Sequence, residues 1–157
     1  MAMYNDHKIL ADMYLQGAIL NIDCPYVNWI VSRKEKNLYG KFTLKDSCWQ
    51  NVYSFGFIYY GINNIATFLF TPAVIPCADI HMYPDKRLCL YFPNEFSKNK
   101  MLLISRHIIP KCRAWADNYE FWKFNGHKWI GNQKGHSEAE TMLKYYYLLT
   151  GKVNLFD

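Results

Sequence analysis

Residues 54–76 form an apolar run that is long enough to raise the question of a membrane helix. Residues that interrupt regular structure break it repeatedly: Gly56, Gly61, Asn63, Asn64 and Pro72. Two segments rich in aromatic and β-branched side chains, residues 55–60 and 65–70, flank these turn formers. The run therefore predicts a pair of strands, and we expect no membrane segment.

Further strands precede this pair. In residues 38–45, Phe42 and Leu44 alternate with Lys41 and Thr43, which indicates a strand with one buried face and one wet face. An N-terminal helix is predicted over residues 5–20, with Asn5 and Asp6 as caps. We expect an antiparallel meander after it, with strands at residues 26–31, 38–45, 52–60 and 65–70.

The second half of the chain shows helical spacing. Apolar residues recur at intervals of three and four between Cys112 and Trp122, and Pro110 suits the first turn of that helix. The pattern predicts that the aromatic residues are core and that the polar residues Lys111, Asp117, Glu120 and Lys123 take the remaining faces. A last helix over residues 137–150 is indicated by the capping-box pair Ser137 and Glu140.

The 157 residues fit one α+β domain, residues 1–157, consisting of a helix, the sheet, an irregular cysteine-bearing segment and C-terminal helices. The net charge of +5 is spread along the chain, and its densest run, residues 33–36, reads as a hairpin tip. We therefore expect no direct nucleic-acid binding. Five widely spaced cysteines without a signal peptide predict a cytoplasmic protein. We expect no metal, because Cys77 and His81 are the only pair with metal-like spacing, and no other cofactor.

Residues 81–93 place a cysteine between a histidine-led turn and a proline. If the segment is extended, Leu88 and Leu90 face the core while Arg87, Cys89 and Tyr91 share the opposite face. A turn at residues 84–85 would then fold the histidine back towards the thiol. The pattern fits an active-site cysteine whose thiolate is favoured by a neighbouring guanidinium. A small buried hydrophobe is the competing interpretation.

Residues 72–136 carry a series of uncommon motifs. They are His81-Met82-Tyr83, Leu88-Cys89-Leu90-Tyr91, Pro93-Asn94-Glu95, Ile108-Ile109-Pro110, Trp115, Tyr119-Glu120, Trp122, Gly126-His127-Lys128-Trp129-Ile130-Gly131 and His136. With this joint spacing the chain resembles the bacterial ubiquitin-conjugating-enzyme-like proteins of type II CBASS anti-phage operons. The order of the predicted elements resembles the ubiquitin-conjugating (UBC-like) fold as well.

The resemblance implies that Cys89 accepts an acyl group as a thioester, and that His81 stands near the His-Pro-Asn position of eukaryotic conjugating enzymes. No asparagine follows His81 here, so Tyr83, Asn94 or backbone amides would support the oxyanion. Arg87 and His81 would adjust the reactivity of the thiol. Arg87 also fits a residue on the surface of the turn, and His81 also fits a residue that holds the turn.

Two further points bear on this resemblance. The preferred interpretation of Asp85 is a turn-forming residue, and the second is a carboxylate that orients the incoming lysine. Lys111 stands where this branch usually has an aromatic residue, which changes a docking surface but not the cysteine.

The same resemblance implies the partners. The donor would be the C-terminus of a neighbouring cyclic-oligonucleotide synthase (CD-NTase), and the acceptor a protein or small-molecule amine. The chain has no Gly-rich phosphate loop, so ATP-dependent activation would come from another protein or be absent.

Two other functions remain open at this stage. A non-catalytic UBC-fold binding module for the synthase predicts a buried, unreactive Cys89. A Cys-His hydrolase predicts direct contact between the Cys89 thiol and the His81 imidazole.

Overall fold

The computed structural model describes residues 2–91, 95–96 and 100–130. Helix α1 spans Ala2–Asp23, and the strands are β1 (Asn28–Ser32), β2 (Asn37–Leu44), β3 (Tyr53–Gly61) and β4 (Asn64–Thr71). A single 3-10 turn, Ala78–Ile80, and a π-helical turn, Ile104–Ile108, lead to α2 at Ile109–Trp122. The predicted α+β order of an N-terminal helix, four strands and a later helix is confirmed.

The strands form one antiparallel sheet in the order β1-β2-β3-β4. Its inner face is built by alternate residues, since Tyr53, Phe55, Phe57 and Tyr59 of β3 are all at most 2% exposed. Gly40 of β2 faces this layer, and a Cβ there would lie 2.1 Å from the ring of Phe57. The predicted meander with one buried face is therefore correct.

The helices cover the inner face and meet each other at the π-helical turn. Gln16 of α1 is 1% exposed, and its amide donates to the Leu102 carbonyl over 2.7 Å and accepts from the Ile104 N–H over 3.1 Å. Trp115 of α2 is fully buried and contacts Tyr53 edge-on at 6.4 Å between ring centroids. The hydrogen bonds of Gln16 fix the chain that follows the cysteine-bearing segment.

Two predictions about element ends were wrong. Helix α1 begins at Ala2 and runs through Asn5 and Asp6, so these residues are not its caps, and it continues to Asp23. Every strand end differs from its predicted position by one or two residues. Propensity signals mark such ends loosely, because fraying and tertiary packing decide the last turn or pair.

The prediction for the polar faces of α2 was also wrong. Lys111, Asp117 and Glu120 are 7%, 4% and 0% exposed rather than solvated. Each has a partner distant in sequence: the Lys111 ammonium lies 2.9 Å from Glu95, and the Asp117 carboxylate accepts from Trp49 Nε1 over 2.8 Å. Burial of these charges is tolerated because their hydrogen bonds are made within the protein.

The predicted last helix over residues 137–150 lies outside the described residues. The aromatic residues Trp115, Tyr119, Trp122 and Trp129 belong to the core or pack against it, as predicted. Within residues 2–91, 95–96 and 100–130, no helix combines the length and the apolar character needed to cross a bilayer.

Candidate active site

A tight hairpin places Cys89 opposite His81. The Cys89 N–H donates to the His81 carbonyl over 2.9 Å, and Met82 and Leu88 form an isolated antiparallel bridge. Within the turn, the Tyr83 N–H donates to the Arg87 carbonyl over 2.8 Å. The predicted turn at residues 84–85 thus brings the backbone of the histidine against the cysteine.

The returning arm of the hairpin is attached to the edge of the sheet. The Leu88 N–H donates to the Thr67 carbonyl of β4 over 2.7 Å, and Arg87 forms an isolated antiparallel β-bridge with Phe68. Leu88 and Leu90 are 5% and 3% exposed, whereas Cys89 between them is half-buried. The alternation directs the thiol away from the core.

Two cavities meet at Cys89 and Tyr83, which line both. We call the first, of about 330 Å³, the apolar cavity; its other lining residues are Pro76, Cys77, Ala78, His81, Met82 and Pro84. We call the second, of about 400 Å³, the polar cavity; its other lining residues are Asn63, Asn64, Ile65, Arg87, Leu88, Leu90 and Tyr91. The thiol is therefore reachable from two sides by different chemical groups.

Tyr83 lines both cavities together with Cys89, and its side chain is 45% exposed. A hydrogen bond with Cys89 is the main cause that raises the pKa of Tyr83. On its ring lies the guanidinium of Arg87, 4.7 Å from the ring centroid, which is a cation–π distance.

His81 faces the apolar cavity but reaches Cys89 only through its backbone. Its imidazole packs on Trp129 at 5.3 Å between centroids, and burial lowers the pKa of His81, so the ring is neutral at pH 7. The residue has φ 56, in the left-handed region. Trp115 Nε1 donates to the neighbouring Ile80 carbonyl over 2.7 Å and fixes this turn to α2.

Asp85 and Arg87 lie at the exposed tip of the hairpin. The Asp85 carboxylate accepts the Arg87 N–H over 3.0 Å and lies 3.9 Å from its guanidinium. Both side chains are about half exposed, 61% and 47%. Asp85 thus organises the turn, and Arg87 spans from the turn to the tyrosine ring.

The remaining cysteines differ in environment. Cys24, Cys48 and Cys112 are buried, and burial raises the pKa of Cys112 far above that of a free thiol. Cys77 is half-buried and lines the apolar cavity with Cys89. No group of three or more His, Cys, Asp or Glu residues within the described chain has the geometry to hold a metal ion.

Some residues that line the cavities were not predicted to belong to the site. Cys77 had been considered only for its spacing from His81, and Asn63 and Asn64 only as the β3–β4 turn. The sequence predicted the turn between β3 and β4. It did not indicate which side of the sheet this turn would border. The predicted supporting residue Asn94 lies outside the described residues.

Comparison with known proteins gives one family. The model of the family described as type II CBASS E2 protein matches residues 16–137. No curated protein and no solved structure matches the chain.

Proposed function

The chain belongs to the family of type II CBASS E2 proteins, and we propose that it carries an acyl group as a thioester on Cys89 and transfers it to an amine. The family gives a role in CBASS antiviral defence. We further propose that residues 1–157 form a single domain of the ubiquitin-conjugating fold. The observation that carries the chemical proposal is the position of Cys89, half-buried at the junction of two cavities.

The proposed reaction has two transfers. The Cys89 thiolate attacks an activated C-terminal carbonyl, an acyl adenylate or a thioester, and expels its leaving group. An amine then attacks the new thioester, the carbon–sulfur bond breaks, an amide forms and the amine proton returns to the thiolate. Two cavities suit this sequence, because the acyl chain and the amine must approach the same carbonyl from different directions.

The neighbouring residues have distinct proposed parts. The carbonyl oxygen of His81 accepts from the Cys89 N–H and holds the hairpin, while its neutral imidazole lines the apolar cavity. Arg87 positions Tyr83 and gives the polar cavity a positive charge, while Asp85 fixes the turn. We propose Asn94, which follows this segment, as a further contact for the acyl group.

We propose the C-terminus of a CD-NTase as the acyl donor and a protein or small-molecule amine as the acceptor. A C-terminal tail is unbranched at its end and suits a narrow approach to a half-buried thiol. Modification of its C-terminus would regulate the synthase.

The geometry favours conjugation over the two alternatives. A binding module would bury Cys89 as a small hydrophobe, yet its thiol lines both cavities. A Cys-His hydrolase needs the imidazole at the thiol, whereas the His81 ring packs on Trp129 and the hydrogen bond between the two residues joins their backbones.

A glycine-ending peptide α-thioester tests the chemistry without any partner. We expect transfer of the acyl group from the thioester to the cysteine to add the peptide mass to the wild type and to Cys77→Ala, the matched control from the same cavity, but not to Cys89→Ala. Added lysine should then release the peptide as its lysine amide. Absence of loading on Cys89, or release only as the free acid, would overturn the proposal, and the second result would favour hydrolysis.

A further inference from the structure

Helix α1 carries apolar side chains on two opposite faces. One face is buried against the rest of the protein, and its members are Met13, Gln16, Gly17 and Leu20. The residues of the other face follow each other at intervals of three and four and are all exposed: Lys8, Ala11, Leu15, Ala18 and Ile22. We call this second face the α1 seam. Packing on the core requires only one apolar face. The 50% exposure of Leu15 and the 80% exposure of Ile22 are therefore not explained by the fold of one chain.

The α1 seam has the spacing and the side-chain sizes of a surface that fits a copy of itself. Two helices that pack as a coiled coil meet along residues repeated every three and four positions. When two copies of α1 run antiparallel, Leu15 of one lies against Ala18 of the other, and Ile22 lies against Ala11, because both pairs share one midpoint in the sequence. Each large side chain thus meets a small one. A two-fold axis requires self-complementarity of this kind.

The charges at the ends of the seam also favour the antiparallel arrangement. Lys8 is the one charged residue of the α1 seam, and in the same register it lies just beyond the last turn of the other helix, which ends at Asp23. The terminal carbonyls give that end a partial negative charge. Asp23 adds a carboxylate that is 29% exposed beside Arg106 of its own chain. A parallel pair would instead set the two Lys8 side chains against each other.

We propose that the α1 seam is a dimerisation surface, on which a second copy of this chain packs its own α1 antiparallel about a two-fold axis. The small side chains of Ala11 and Ala18 let the two helix axes approach to about 8 Å, the lower end of the range for packed helices. The contact from Ala11 to Ile22 is about 16 Å long. A contact of this size is small, so the dimer dissociates at micromolar concentrations. Dimerisation does not depend on acyl transfer by Cys89.

Sedimentation of the full chain, from low to several hundred micromolar, measures this association. A glutamate at residue 22 would place a charge against Ala11 of the second copy without a partner. We expect the average mass of the wild type to rise from one chain towards two, and that of Ile22→Glu to stay at one chain. Ile75→Glu is the matched control and should associate like the wild type, because Ile75 is 88% exposed on another segment. A monomeric wild type, or an Ile22→Glu variant that associates normally, overturns the proposal.

Disulfide cross-linking tests the register. The double variant Ala11→Cys/Ile22→Cys sets two thiols about 16 Å apart on one helix, which is too far for a disulfide within the chain. Across the proposed two-fold axis the same thiols are neighbours. We expect mild oxidation to give a covalent dimer of the double variant, above the background from the native cysteines of the wild type, and no such gain in either single variant. Absence of this dimer, or equal cross-linking of the single variants, overturns the proposal.

Discussion

The Cys89 N–H donates to the His81 carbonyl over 2.9 Å, so the histidine fixes the cysteine through its backbone. His81 has φ 56, a conformation that costs β-branched residues most and, apart from glycine, asparagine and aspartate least. The position of the thiol therefore depends on a strained backbone that the side chain at residue 81 must tolerate.

This relationship predicts different costs for two substitutions. His81→Val and His81→Asn both remove the imidazole from Trp129, but only valine opposes the left-handed backbone. We expect urea denaturation to show a free energy of unfolding about 1–2 kcal/mol lower for His81→Val than for His81→Asn. Equal losses would mean that the ring contact, and not the backbone, determines the cost.

The buried carboxylate of Glu120 joins α2 to the sheet. It is 0% exposed, accepts from the Tyr53 hydroxyl over 2.6 Å and lies 2.6 Å from the Lys123 ammonium. The backbone N–H of Gln50 is a further donor to it. A glutamine side chain at residue 120 would place its amide hydrogens against neighbouring donors, which need an acceptor.

We expect Glu120→Gln to lower the free energy of unfolding by about 2–3 kcal/mol, because buried donors lose their acceptor. Asp6→Asn is the matched control, since it removes the same charge from the exposed pair with Lys36 and should cost less than about 1 kcal/mol. Chemical denaturation of both variants checks this, and a similar small loss in each would contradict the structural role of Glu120.

The titration of His107 makes the free energy of unfolding depend on pH. Its Nδ1 accepts the Leu103 N–H over 2.8 Å, and burial, followed by nearby positive charges, lowers the pKa of His107 below its ordinary value of 6.5. The unfolded chain therefore binds the proton more readily than the folded protein. Stability is fully present above pH 6.5 and is lost as the pH falls towards the folded pKa.

We expect the melting temperature to fall between about pH 7 and pH 5, and to fall less in His107→Asn, whose amide oxygen accepts the same N–H without titrating. Burial lowers the pKa of His81 in the same direction, so part of the pH dependence remains in the variant. Melting curves at several pH values measure this. Identical pH dependence in both proteins would contradict the contribution of His107.

Much of the sheet followed from the sequence because its signals are local. Phe42 and Leu44 alternate with Lys41 and Thr43 on β2, and the residues that turn the chain between β3 and β4 stand next to each other. The burial of Leu88 and Leu90 around Cys89 followed from the same alternation. A period of two residues is sufficient to assign a strand and its faces.

What the sequence did not reveal depends on contacts between distant residues. The partners of Asp117 and Glu120 stand more than sixty positions earlier, at Trp49 and Tyr53, so the helix pattern alone assigned these acids to solvent. The hairpin that sets Tyr83 and Cys89 beside the same cavities depends on the left-handed Lys86, which nothing in its side chain indicates. Tertiary contacts decided the first case against the local signal.

The most direct measurement combines the protein with a CD-NTase, the proposed acyl donor, with and without ATP and an activating protein. Intact mass and non-reducing electrophoresis then compare wild type, Cys89→Ala, Cys89→Ser and the control Cys77→Ala. We predict a reductant-sensitive adduct in the wild type and in Cys77→Ala, none in Cys89→Ala, and a reductant-resistant ester in Cys89→Ser. Binding of the synthase without any adduct, unchanged by Cys89→Ala, would contradict the thioester account and indicate a binding module.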